Sequence, residues 1–133
     1  MSNKLFSSTT SLALHEMIHI LGFDHSLYST FLNPDDGNLY ASPTSQTILN
    51  SKRNAGGGNY ILQTPFVTAW AKNFFGCSSL VGMALENEEG NSVAGSHWER
   101  LAMYDELMTE TGFGGKRGFS GLTFSLLKDM GWY

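Results

Sequence analysis

Cysteine is nearly missing from this 133-residue sequence: Cys77 stands alone, so no disulfide closes within the chain and cysteine usage gives no reading of the redox compartment. Proline is scarce at 3 residues, and the 8 Lys and Arg are scattered among 12 Asp and Glu for a formal charge of −4. With no basic stripe, nucleic acid is not an expected partner. No apolar run approaches the roughly 20 residues that a membrane-spanning helix needs. The opening MSNKLFSSTTS also lacks the apolar segment of a secretory leader. What the chain does have is 41% apolar and 13% aromatic residues, enough for one core. No internal repeat or change of composition divides it.

Local patterns predict three helices. In TTSLALHEMIHILG, over 9–22, Leu14, Met17, Ile18 and Leu21 recur at steps of three and four. Ser or Thr is available for the N-cap and Gly22 for the stop. Thr64 as N-cap, Pro65 at the first helical position and Gly76 past the end frame a second helix, with Phe66, Ala69, Trp70 and Phe74 expected on its buried face. The third runs from Ser120 to Met130, with Leu122, Leu126, Leu127 and Met130 on one side and Gly131 ending it. Short strands are expected at Tyr60–Leu62 and in LVGMAL at 80–85. Residues 33–59 contain NPDDGN, SPTS and NAGGGN and read as a surface excursion, with room for a short element around Ile48 and Leu49. A polar loop over 86–96 then delivers His97.

The chemistry concentrates in HEMIH. On a helix, His15 and His19 stand one turn apart on one face and can reach a single zinc ion, while Glu16 lies beside the metal as a base rather than a ligand. Two histidines meeting by accident would need other partners for their ring nitrogens, and this helix offers few. A catalytic zinc takes three protein ligands and keeps one position for water. The longer string HEMIHILGFDH fits the short-spaced HExxHxxGxxH pattern, and on spacing alone His25 is the third ligand. If His15, His19, His25 and His97 all converged, the site would be closed and structural. Glu16 argues against that, because a structural site has no use for a base.

A second segment points elsewhere. AGSHWERLAMYDELM at 94–108 resembles the part of the leishmanolysin family where the third zinc histidine follows a long insertion and precedes DELM. TPFVTAWAKNFFGC at 64–77, LEN at 85–87 and LTFSLLKDMGWY at 122–133 are similar to leishmanolysin segments in the same order. The likeness covers nearly everything except 33–59. The resemblance implies His97 as third ligand, Met108 in a tight turn beneath the metal, and Cys77 where family members carry a paired cysteine. Glu99, Arg100, Asp105 and Glu106 surround this segment, and one carboxylate can orient an imidazole there. Such charges are more often solvated, and spacing singles none out.

The fold implied is α+β and zincin/metzincin-like: a mainly helical single catalytic domain over 1–133, with an HExxH helix, long loops and few short strands. The unpaired Cys77 and a start just before the active-site helix suggest a fragment without the upstream sheet. The activity implied is a zinc endopeptidase with one Zn2+ on His15, His19 and His97, Glu16 as general base, and protein or peptide as substrate. An extracellular or membrane-associated cell-surface setting and a role in cell adhesion are implied with it. The rivals are a short-spaced metzincin using His25 and a non-catalytic zinc-binding adhesion module.

Overall fold

The computed structural model describes residues 8–40, 48–52, 58–86, 95–110 and 117–133. Helix α1 (Ser8–Leu21) turns Ile18 into the core and half-buries Leu14 and Leu21, while Met17 and Ile20 stay exposed. The position that would cap its start lies outside the described residues. Gly22 ends it with a φ of 128°, a conformation that costs a residue with a Cβ far more than glycine. The chain then turns so that Phe23 is fully buried, and a 3-10 turn at Tyr28–Thr30 follows.

Strands β1 (Ile48–Lys52) and β2 (Gly58–Leu62) pair antiparallel, Ile48 opposite Leu62. Strand β3 (Met83–Ala84) adds to the other side of β2, giving the order β1-β2-β3. The short element expected at Ile48 and Leu49 is therefore a five-residue strand, and the strand expected over 80–85 narrows to two residues plus a bridge from Leu85 to Trp98. Of the loop expected over 86–96, residues 87–94 lie outside the described residues.

Helix α2 (Pro65–Phe75) begins and ends where Thr64, Pro65 and Gly76 predict. Its buried face differs from expectation. Val67 and Ala71, one turn apart, enter the core, whereas Ala69 and Phe74 are exposed and Phe66 and Trp70 only half-buried. The reason is the partner: α2 packs on α4 (Gly121–Asp129), and small side chains permit the close approach. At Gly121 a Cβ would sit 2.5 Å from the Trp70 Nε1. The aromatics are pushed to the edge, where Trp70 stacks on Phe74 at 4.5 Å between ring centroids.

Helix α4 presents Leu122 and Leu126, with Met130 just beyond its end, to the core as expected, while Leu127 is only half-buried against it; burying each fully enclosed side chain contributes about 1.5–3 kcal/mol. A one-turn helix, α3 (Arg100–Met103), has no periodic signal in the sequence; Glu99 accepts from the Leu101 N–H and starts it. The architecture is thus a small α+β one with few strands. Among the described residues, no helix is long and apolar enough to cross a membrane.

Candidate metal centre

Helix α1 places His15 and His19 on one side, with His15 buried and His19 half-buried. Each ring is fixed by a main-chain carbonyl: His15 Nδ1 donates to Leu107 O at 2.7 Å and His19 Nδ1 to Phe23 O at 2.8 Å. A carbonyl only accepts, so in both rings the proton sits on Nδ1 and Nε2 is left with a lone pair. Those two Nε2 atoms face each other at 3.0 Å. Bare lone pairs at that range repel, and a shared cation removes the repulsion. A proton on His15 is disfavoured as a substitute, because burial holds its pKa below the ordinary imidazole value.

His97 reaches the pair from 82 residues downstream of His15, with Nε2 at 3.1 Å from His15 Nε2 and 3.2 Å from His19 Nε2. Its segment is held on both sides. Glu86 N donates to His97 O and Glu99 N to Ala84 O, while Trp98 N donates to Met108 O. Trp98 is fully buried against Phe23, and its indole N–H donates to Thr123 Oγ1 at 3.0 Å. Tyr28, also buried, donates to Gly95 O at 2.7 Å.

Three nitrogens each about 2.0–2.1 Å from one tetrahedral ion stand roughly 3.3 Å apart. The observed triangle of 3.0, 3.1 and 3.2 Å fits that set. Among the described residues, His15, His19 and His97 form this cluster without a carboxylate or thiol. His25 does not join them. Its side chain is 54% exposed, with Nδ1 3.2 Å from Ser96 Oγ and 3.7 Å from the Asp24 carboxylate. A closed sphere of four imidazoles is therefore not what the fold assembles. Glu16 is exposed on α1 and close enough for its charge to act on His15.

Met108 is fully buried, in a turn where Thr109 N donates to Glu106 O at 3.2 Å. The Leu107 carbonyl that orients His15 belongs to the same turn. Glu106, which spacing gave no reason to single out, is buried and accepts from Met108 N, Ser120 N, Ser120 Oγ and Thr123 Oγ1. Its only sign in the sequence is its place two residues before Met108. Cys77 is a free thiol, 3.3 Å from Ser79 Oγ.

A family model described as leishmanolysin matches residues 2–133. The chain is 33% identical to a leishmanolysin-like peptidase of Caenorhabditis briggsae over 156 residues, covering 98% of this chain and 23% of that protein. It is 30% identical to a leishmanolysin-like peptidase of Drosophila melanogaster, covering 90% of this chain and 21% of the relative. Against the ciliated left-right organizer metallopeptidase of Homo sapiens the identity is 33%, over 90% of this chain and 15% of that protein. The chain thus spans less than a quarter of the length of these curated relatives, and no solved structure matches it. A likeness running from residue 2 to residue 133 takes in both the helix bearing His15 and His19 and the distant segment bearing His97, and the chain belongs to the leishmanolysin family of metallopeptidases.

Proposed function

We propose that this chain carries the catalytic site of a zinc endopeptidase of metzincin type, in which His15, His19 and His97 hold one Zn2+ and Glu16 moves the proton. The observation that supports it most directly is the triangle of Nε2 atoms, two of which have their lone pairs turned inward by the Leu107 and Phe23 carbonyls. Zinc bound there supplies Lewis acidity toward a peptide carbonyl and makes water a competent nucleophile near neutral pH. The remaining work belongs to the chain's own groups. The two carbonyls fix ring orientation in advance, so the imidazoles need not reorganise. Among the described residues three side chains form the cluster, the number of protein ligands that a catalytic zinc takes while keeping a position for water.

Glu16 is both exposed and adjacent to His15, so its carboxylate meets water beside the cluster. A carboxylate oxygen there accepts a proton from the attacking water and returns it to the nitrogen of the leaving amine. The substrate is a protein or peptide, and a cell-surface setting is part of the proposal, supported only by the family resemblance. Glu16→Gln should keep one zinc per chain, measured by atomic emission, while turnover of an unfolded protein substrate falls at least about a hundredfold. His97→Ala should lose the zinc and His25→Ala should keep it. Full turnover in Glu16→Gln would remove the base from the scheme, and undiminished zinc in His97→Ala would remove the ligand set.

A further inference from the structure

Glu106 is a buried carboxylate that, among the described residues, ties the metal centre to the far helix, and the proton chemistry proposed for Glu16 makes no use of it. Among the described residues its side chain meets four donors: Thr123 Oγ1 at 2.6 Å, Ser120 Oγ at 3.0 Å and Ser120 N at 3.2 Å on Oε1, and Met108 N on Oε2. That number of donors fits an acceptor-only group and is poorly served by an amide, which brings its own N–H into the cluster. Two chains of bonds leave this carboxylate toward the histidines. Through Oε2 it holds the amide next to Leu107, whose carbonyl accepts from His15 Nδ1. Through Oε1 it orients Thr123, which accepts from the Trp98 indole one residue from His97.

We infer that Glu106 is a positioning residue for the metal centre, setting the Leu107 carbonyl and the Trp98 indole at once and thereby the approach of His15 and His97 to a shared divalent cation. This rests on reading His15, His19 and His97 as ligands. A carboxylate placed only to cap α4 would need Ser120 alone. This one also reaches the 106–109 turn and, through Thr123, the strand-like segment of His97. Two ligands far apart in the chain are thus referred to a single anion. Groups that orient a metal ligand through its second nitrogen typically change affinity by about 10–100-fold when removed, and one bond further out the lower end is expected.

The test uses Co2+ as the probe on the whole chain, read by its visible absorption and by competition with a chromophoric chelator. Glu106→Gln and Thr123→Val cut the network at two points, and Leu126→Val disturbs the packing of α4 without touching it. Unfolding midpoints by circular dichroism put the three variants on one stability scale. Wild type should bind one Co2+, and His97→Ala should not. Both network variants should bind about tenfold more weakly, with shifted d–d bands, while Leu126→Val keeps the wild-type affinity and spectrum. If Glu106→Gln does not fold, Thr123→Val alone decides the matter. Wild-type affinity and bands in a folded network variant, or the same loss in Leu126→Val, would overturn the assignment. If wild type and His97→Ala behave alike, the ligand set itself is wrong and this inference falls with it.

Discussion

Gly22 does two things that no other residue does as well. Its φ of 128° turns the chain out of α1, and the space beside it is already taken, since a Cβ would lie 2.8 Å from the Trp132 ring and 2.9 Å from Met130 Sδ. The turn also brings the Phe23 carbonyl back to His19 Nδ1 at 2.8 Å. Gly22→Ala therefore combines backbone strain with a clash and should cost about 1–3 kcal/mol in urea denaturation, with zinc bound more weakly because one imidazole loses its guide. Wild-type stability and zinc affinity would show that the turn tolerates a side chain. At this scale the sequence is most legible where the chemistry is local. His15, Glu16, His19 and Gly22 announce themselves by their spacing, which a helix converts directly into a shared face. Glu106 and Asp129 are silent, because a carboxylate next to another charge, Asp105 or Lys128, reads as solvated until distant donors are known.

Asp129 shows the same point for elements. Thr64 occupies the N-cap position of α2 but makes no side-chain cap bond. The cap comes instead from the last residue of α4: Asp129 Oδ1 accepts from Phe66 N at 2.9 Å and Oδ2 from Val67 N at 2.8 Å. An anion at the positive end of a helix satisfies two donors that α2 cannot satisfy itself, and it locks the two helices together. Asp129→Ala should cost about 1.5–3 kcal/mol. Asp129→Asn should fall between, because one of its two terminal atoms can no longer accept. Urea midpoints measure both, and a loss within 0.5 kcal/mol, which is about what a surface change does, would show the cap to be dispensable. The ends of α2 were readable from Pro65 and Gly76; its face was not. Aromatic residues drew the expected burial to Trp70 and Phe74, while close packing on α4 selects small side chains at Val67 and Ala71. Strands β1 and β2 were only partly visible, since their flanking Gly- and Ser-rich segments hide any alternation.

At the scale of the whole molecule, the metal centre joins the first described helix to a segment more than 70 residues later, and no local rule reveals that junction. It came into view only through the order of several family-like segments. The same junction makes folding and metal binding one equilibrium, because the unfolded chain does not hold three imidazoles together. Zinc at 100 times its dissociation constant should add about 2.7 kcal/mol to the unfolding free energy at pH 7.5. Acid should act twice. In the metal-free chain, burial keeps the His15 pKa below the ordinary imidazole value, so on acidification the unfolded state takes up a proton before the folded state does. The stability from keeping His15 neutral is whole above about pH 6.5 and is lost as pH falls through the lowered folded value. With zinc present the loss should be steeper, since each ligand nitrogen must be free of a proton to bind. Urea titrations at pH 7.5 and 5.5, with and without zinc, separate the two effects. A zinc increment of equal size at both pH values would mean that the ion sits on groups other than these histidines.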